Sequence, residues 1–221
     1  MELRERVLLI YFAGLLVVAL VLFGPAGTFD YWQAWAYIGT VFVPMLFVLA
    51  YFLLKDQEFL KRRMRTKEKE AEQGWIIKIT TLIFMVAFLL PGLDRRFGWS
   101  GVPAEFSLAA DVVILLGYAL VFLVFRENSY ASRTVEVLEG QKVVASGPYS
   151  IIRHPMYLGT LLMYLATPIA LGSYVAFPPF LLLVPAIVLR IISEEKVLRR
   201  DLAGYAEYCE KTKYRLIPYI W

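Results

Sequence analysis

Cysteine and histidine are nearly missing from this chain of 221 residues, which contains one of each, Cys209 and His154. A single cysteine excludes an internal disulfide and a cysteine metal site, and a single histidine excludes the usual paired-histidine metal centres. The sequence also lacks a Gly-rich phosphate-binding loop and a G-x-S-x-G nucleophile elbow. We therefore expect no metal and no function that depends on either of those two motifs.

Charged residues are almost absent from six long stretches, in a chain that is 59% apolar and 15% aromatic and has a mean hydropathy of +0.60. Apolar stretches of about 17–25 residues are typical of transmembrane helices. The fifth stretch is short for a full crossing, so the sequence predicts an all-α polytopic membrane helix bundle with five or six transmembrane segments. The stretches are 7–23, 31–54, 75–91, 108–125, 157–171 and 175–192.

Internal repeats, low-complexity tracts and long polar linkers are also absent from the sequence. We therefore predict a single integral-membrane domain over residues 1–221. Its first part, 1–125, holds four spans. Polar residues that are suited to binding or catalysis accumulate in 126–221, which we expect to be the catalytic half.

Lysine and arginine concentrate on one side of a six-span arrangement, and short basic loops stay on the cytoplasmic side of a membrane. Basic residues precede the first block, follow the second and fourth blocks, and recur in the C-terminal tail. Only Arg95 and Arg96 oppose this pattern. The sequence thus predicts that the polar segments after residue 126 face the cytoplasm. The net charge of +4 is explained by topology and not by nucleic-acid binding.

The segment SGPYSIIRHPMYLG, residues 146–159, bends the chain twice between two apolar blocks. Residues 146–148 predict a turn, and Pro155 suits the first turn of the following helix. Irregular backbone at the membrane surface is tolerated where it lines a cavity. His154 is then either a residue that caps the start of a helix or a ligand-binding residue, and position alone does not separate the two interpretations.

A second polar cluster, RIISEEKVLRR, lies at the end of the last apolar block. Arg190 and Glu194 are four residues apart and therefore share one face of a helix. A local ion pair between them is one interpretation. The other is that an arginine and two adjacent glutamates at a membrane boundary bind a zwitterionic ligand.

Several segments together resemble the isoprenylcysteine carboxyl methyltransferase family of integral-membrane enzymes. They are EGQKVV, SGPYSIIRHPMYLG, RIISEEKVL and YAEYCEKTKYRLIP, and the resemblance runs from about Arg126 to the end of the chain. The RHPxY segment and the C-terminal ending are also similar to membrane sterol reductases, so a reductase that uses NADPH is the alternative. The Gly-Pro-Tyr turn, the paired glutamates and the short chain favour the methyltransferase.

The resemblance implies S-adenosylmethionine as cofactor and assigns roles to individual positions. It implies that Arg190 binds the substrate and, with Glu194, forms the catalytic pair. Glu136 falls near a further cofactor contact. The implied cofactor-binding residues are Gln141, Lys142, Val143, Val144, Tyr149, His154, Pro155, Met156, Tyr157 and Glu194.

These residue types suit the chemistry of methyl transfer. The carboxylate of S-adenosylmethionine needs a donor such as His154 or a backbone N–H, and its ammonium needs an acceptor such as Glu194. An acceptor carboxylate with a pKa of about 4 needs no general base at neutral pH, and Arg190 can hold it by a bidentate fork. We expect a lipophilic or lipidated substrate, such as a prenylated cysteine, and contact with membrane lipids. A non-catalytic membrane protein that retains the same residues is the third hypothesis.

Overall fold

The computed structural model describes residues 2–64, 71–131 and 137–221, with the backbone alone for 71–76. The described residues are helical wherever they have regular structure, as the sequence predicts. One short 3₁₀ turn, Gly147–Ser150, precedes the sixth helix. The α-helices are α1 Leu3–Ala26, α2 Trp32–Lys55, α3 Gln57–Arg63, α4 Ala71–Phe97, α5 Ala104–Glu127, α6 Pro155–Ala170, α7 Phe177–Leu181, α8 Leu183–Asp201 and α9 Tyr205–Lys211.

Five helical segments are long and apolar enough to cross a membrane, and α6 is a shorter apolar helix. With 16 residues, α6 is about 24 Å long, less than the roughly 30 Å of a bilayer core. The structure therefore has five candidate spans and one short apolar helix among the described residues, the lower of the two predicted numbers. The candidate spans are Leu3–Ala26, Trp32–Lys55, Ile77–Phe97, Ala104–Glu127 and Phe177–Asp201.

Large apolar side chains lie on the outside of the bundle as well as in its core. Leu20, Phe47, Leu82 and Leu116 are each more than 60% exposed, a pattern that is unfavourable in water but natural for side chains that face lipid. Inside, the hydroxyl of Tyr31 donates to the backbone oxygen of Leu171 at 2.6 Å. This bond fixes the start of α2 to the end of α6.

Two glycines allow α5 and α6 to pack almost backbone to backbone. A Cβ atom on Gly117 would lie 2.7 Å from the backbone oxygen of Gly159, and one on Gly159 would lie 2.8 Å from that of Gly117. Small residues at a helix crossing are a common device in membrane bundles. Because of this close approach, the polar residues at the start of α6 lie beside the end of α5.

The last two apolar blocks form a hairpin, with its turn at 171–174. Gly172 has a φ of 73°, a conformation that favours glycine. Next to it, Ser173 donates its hydroxyl hydrogen bond to the buried carboxylate of Asp94 in α4. Asp94 also accepts from the backbone N–H and the hydroxyl of Ser100, at 2.7 and 2.6 Å. This carboxylate holds together α4, the following loop and the hairpin turn.

Candidate functional site

A cleft of about 840 Å³, counted to its open mouth, lies where α5, α6, α8 and α9 end or begin. The cleft brings together ten of the residues predicted from sequence. They are Gln141, Lys142, Val143, Val144, Tyr149, His154, Met156, Tyr157, Arg190 and Glu194.

One further predicted position does not line the cleft, and another lies outside the described residues. Pro155 occupies the first position of α6 and is buried between lining residues, so its role is to start the helix. Glu136 lies outside the described residues.

The hydroxyl of Tyr157 joins the two residues that were predicted to be catalytic. It accepts a hydrogen bond from Nε of Arg190 at 3.0 Å and donates one to Oε2 of Glu194 at 2.6 Å. Tyr157 stands in the first turn of α6, whereas both charged residues project from α8. The spacing of Arg190 and Glu194 on one helical face thus directs both toward the same phenol across the hairpin.

The ring of His154 lies in the wall of the cleft, close to a buried carboxylate. His154 is the N-cap residue of α6, but its side chain makes no capping hydrogen bond. Its Nε2 lies 3.3 Å from Oε1 of Glu195. Arg153 donates from Nε to the same oxygen at 2.7 Å, and Arg215 donates from Nε to Oε2 at 2.9 Å. The two adjacent glutamates therefore differ: Glu194 faces the cleft and Glu195 lies in a buried charge cluster.

The C-terminal segment is bound to the RHP segment by backbone as well as side-chain hydrogen bonds. Backbone N–H groups of Arg153 and His154 donate to the oxygens of Tyr214 and Arg215, each at 2.9 Å. Arg153 also donates from Nη1 to the oxygens of Thr212 and Lys213. These bonds hold α9 and the tail against the cleft.

Tyr149 links the 3₁₀ turn to α5 and α9. Its hydroxyl accepts from Nδ2 of Asn128 at 3.0 Å, and its backbone oxygen accepts from the hydroxyl of Tyr208 at 2.7 Å. Burial raises the pKa of Tyr149 to about 12, so its hydroxyl is neutral at physiological pH. The Gly-Pro-Tyr turn therefore presents a neutral aromatic wall to the cleft.

Sequence reasoning did not assign eight of the lining residues. Leu198 and Leu202 follow Glu194 at steps of four, so helical spacing alone would have found them. Tyr205 and Tyr208 stand in the segment YAEYCEKTKY, which was noticed as part of the resemblance but was given no role. Arg153 is the arginine of the RHPxY segment, which was noticed but gave it no role. The remaining three have no comparable signal in sequence: Asn128, Tyr130 and Ala131.

The donor and acceptor set of the cleft fits S-adenosylmethionine. Aromatic and aliphatic walls suit an adenosine, and the Glu194 carboxylate suits an ammonium. The hydroxyl of Tyr205 is buried, lines the cleft and has no hydrogen-bond partner of normal geometry in the described part of the chain. A buried polar group of this kind is costly unless a ligand or water satisfies it. Among the described residues, no group of three or more His, Cys, Asp or Glu side chains is placed to hold a metal ion.

Residues 106–203 match the family model described as phospholipid methyltransferase. The match begins in α5 and ends just after α8, so it covers most of the cleft. The whole chain also aligns with the solved structure of the eukaryotic intramembrane Ras methyltransferase ICMT (isoprenylcysteine carboxyl methyltransferase). The alignment has a TM-score of 0.51 and 17% identity, and it covers 100% of this chain and 88% of that chain. This likeness shows the fold and confirms the predicted all-helical membrane architecture.

The chain is also similar to two proteins that are not named as methyltransferases. The chain is 32% identical over 91 residues to the Delta(14)-sterol reductase TM7SF2 of Mus musculus, which is 40% of this chain and 22% of the relative. It is 28% identical over 143 residues to the cobalt-zinc-cadmium resistance protein CzcN of Cupriavidus metallidurans, which is 62% of this chain and 59% of the relative. The chain thus matches less than two thirds of the length of either protein.

Proposed function

We propose that this integral-membrane protein transfers a methyl group from S-adenosylmethionine to a lipophilic acceptor, since residues 106–203 match the family model described as phospholipid methyltransferase. We further propose that the acceptor group is a carboxylate, such as that of a prenylated cysteine. The observation that carries this proposal is the hydrogen-bonded line from Arg190 through Tyr157 to Glu194 inside the cleft. It places the Arg190 cation, which can bind an acidic acceptor, beside the Glu194 anion, which can bind the cofactor ammonium.

The cofactor-binding residues would be those that surround the adenosine and the amino acid portion. Glu194 would accept from the ammonium, and Tyr149, Tyr205 and Tyr208 would pack against the adenosine. The segment 141–144 lines the same cleft with its side chains. Every described residue that lines the cleft falls between Asn128 and Tyr208, which supports our view that 126–221 is the catalytic half of one domain over 1–221.

S-adenosylmethionine would supply an electrophilic methyl group on a sulfonium. The chain's part is to position the acceptor and to exclude water, because an ionised carboxylate is already a competent nucleophile. The hydrogen bond from Nε to Tyr157 fixes the plane of the Arg190 guanidinium. A guanidinium held in this way can orient a carboxylate by two parallel bonds.

The surroundings of Arg190 support a substrate with a hydrocarbon tail. Its neighbours Leu189 and Ile192 on α8 are 56% and 40% exposed, on a helix within a candidate membrane span. An acceptor whose acidic group meets Arg190 can therefore leave its tail along the lipid-facing side of α8. We propose that the acidic group approaches from the cytoplasmic face, as the distribution of basic loops predicts.

A membrane reductase is the second candidate function, and the 32% identity to a Delta(14)-sterol reductase favours it. The two candidates differ in their cofactors, S-adenosylmethionine against NADPH, so binding separates them. Detergent-purified protein should be titrated by calorimetry with S-adenosylhomocysteine and, separately, with NADPH. We expect saturable binding of S-adenosylhomocysteine, and binding of NADPH alone would overturn the proposal.

Transfer itself should be measured with S-adenosylmethionine that is radiolabelled in the methyl group. The protein in membranes should label a fraction that is extractable into organic solvent, and mild alkali should release the label as methanol if the product is a methyl ester. An alkali-stable lipid product would contradict a carboxylate acceptor. Binding of S-adenosylhomocysteine without transfer to any lipid would contradict the enzyme and favour a non-catalytic protein.

A further inference from the structure

Glu195 is the centre of a buried charge cluster that the proposed chemistry does not use. The residue is 3% exposed, and its two oxygens contact Arg153, His154 and Arg215, which come from two different parts of the chain. Two guanidinium groups at 2.7 and 2.9 Å favour the ionised carboxylate. An ionised carboxylate accepts hydrogen bonds and does not donate them.

The contact with the Glu195 carboxylate determines which nitrogen of the His154 ring carries a hydrogen. Because Nε2 lies 3.3 Å from a carboxylate oxygen that only accepts, Nε2 must carry the hydrogen of that bond. The other ring nitrogen, Nδ1, makes none of the hydrogen bonds of this cluster.

We propose that Glu195 is a positioning residue that holds His154 in the Nε2–H tautomer, so that Nδ1 serves as a hydrogen-bond acceptor in the ligand cleft. His154 lines that cleft, and Nδ1 is the ring nitrogen that the cluster does not use. The group that suits it is an N–H donor, either the adenine amino group or the ammonium of the cofactor. This differs from the donor role toward a carboxylate that we expected from sequence, and the ligand part rests on the proposed function.

A carboxylate that orients a functional histidine through its other nitrogen is a general device, because it selects both the tautomer and the ring orientation. The same carboxylate also binds Arg215 in the tail, which pairs with the backbone of His154. Glu195 thus orients the His154 ring and also binds the C-terminal segment that is hydrogen-bonded to the His154 backbone. In metal sites, where a carboxylate orients a histidine in the same way, loss of that carboxylate costs about 10–100-fold in metal affinity or activity.

The single histidine makes the tautomer directly measurable. Protein labelled with ¹⁵N only in histidine gives signals from one ring, without any assignment step. In detergent-purified protein without cofactor, we expect one protonated nitrogen, Nε2, and one unprotonated nitrogen, Nδ1. An Nδ1–H tautomer or a doubly protonated ring in the wild-type protein would overturn the proposal, and this measurement needs no variant.

Two matched variants test the role of Glu195. Glu195→Gln should convert the spectrum to a mixture of tautomers and weaken S-adenosylhomocysteine binding about tenfold or more. Glu194→Gln changes the neighbouring glutamate in the same way and should leave the tautomer unchanged. An unchanged tautomer in folded Glu195→Gln protein would overturn the positioning role.

Adding S-adenosylhomocysteine should shift the Nδ1 resonance in the direction of an accepted hydrogen bond. If the cofactor analogue binds by calorimetry without moving that resonance, the acceptor role is wrong while the proposed function stands. If the tautomer is as expected but the analogue does not bind, the proposed function fails and the positioning role of Glu195 is still supported.

Discussion

The phenol of Tyr157 donates a hydrogen bond of 2.6 Å to the carboxylate of Glu194, and this bond crosses from α6 to α8. The phenol oxygen of Tyr157 also accepts a hydrogen bond from Nε of Arg190 at 3.0 Å. Each charged side chain is therefore oriented by a neutral group on another helix. The arrangement gives the two charges a defined separation from a common centre, which is what the proposed transfer between two bound groups needs.

Glu194→Gln should weaken S-adenosylhomocysteine binding by about tenfold to a hundredfold. The amide oxygen can still accept from Tyr157, so the change removes charge and leaves the local packing in place. The expected loss corresponds to a charge-assisted hydrogen bond of about 1.5–3 kcal/mol. Calorimetric titration measures the affinity, and a melting curve on the same protein checks that stability is retained.

Arg190→Lys should keep the affinity for S-adenosylhomocysteine and lower turnover by about a hundredfold. A lysine ammonium cannot form the two parallel bonds that hold a carboxylate in line with the methyl group, and small misplacements of this kind are costly. Methyl-transfer rates at saturating cofactor give the measurement. If Arg190→Lys and Glu194→Gln instead lower the melting temperature equally and leave cofactor affinity unchanged, the two residues form a structural ion pair only.

The sequence predicted the membrane bundle well because uninterrupted apolar length is a local property. The short helix α3 was not predicted from the sequence. It contains only two adjacent apolar residues, Phe59 and Leu60, which are too few to predict a helix. Their burial is seen only in the fold, where Phe59 packs on Phe52 and Phe125. Such contacts join distant parts of the chain and leave no periodic signal.

The site shows the same division between local and long-range information. The RHPxY and EE segments supplied residues that the fold brings to one cleft. The resemblance assigned Glu194 to the cofactor, but it gave Glu195 no role. Adjacent helical residues point about 100° apart, so only one of the two can face a given cleft. That Glu195 is the buried one depends on Arg215, twenty positions further along, and on the fold of the tail.

Gly159→Ala should destabilise the protein by about 1–3 kcal/mol and weaken cofactor binding. Its Cβ would lie 2.8 Å from the backbone oxygen of Gly117 and 2.8 Å from Cγ2 of Val121, which forces α6 away from α5. The start of α6 carries His154 and Tyr157, so the cleft changes with it. Melting curves and calorimetry provide the two readouts.

Gly39→Ala is the matched control for that prediction. Gly39 is also a helical glycine, in α2, but a Cβ there would meet nothing within 4 Å. We expect unchanged stability or a gain of up to about 1 kcal/mol, because alanine is the better helix former. Equal destabilisation by both substitutions would mean that the close approach of α5 and α6 is not the cause.

The orientation of the protein in the membrane can be tested by cysteine labelling of intact cells. Burial raises the pKa of the Cys209 thiol, and Cys209→Ser removes it as background. A cysteine at Glu58, which is exposed in α3, should be protected from an impermeant reagent, whereas one at Gly101 should react. Gly101 has room for a side chain. The reverse pattern would place the cleft on the outer face.

Asp111→Asn should raise the melting temperature. Asp111 lies in a candidate membrane span and is 7% exposed. Thr40 hydrogen-bonds its carboxylate, but Oδ1 has no hydrogen-bond partner of normal geometry in the described part of the chain. A buried carboxylate without full hydrogen bonding costs stability, and a neutral amide of the same shape costs less. The expected gain is about 1–3 kcal/mol, measured as a shift in thermal unfolding of the detergent-purified protein.

Asp94→Asn is the matched control for Asp111→Asn. Asp94 is also buried, at 2% exposed, but its two oxygens accept from the backbone of Ser100 and from the hydroxyls of Ser100 and Ser173. An amide presents one acceptor in place of two, so this variant should melt at a lower temperature. If both variants lose stability, Asp111 is satisfied by a partner in the membrane. Loss of methyl transfer in Asp111→Asn at unchanged melting temperature would instead make Asp111 a functional intramembrane acid.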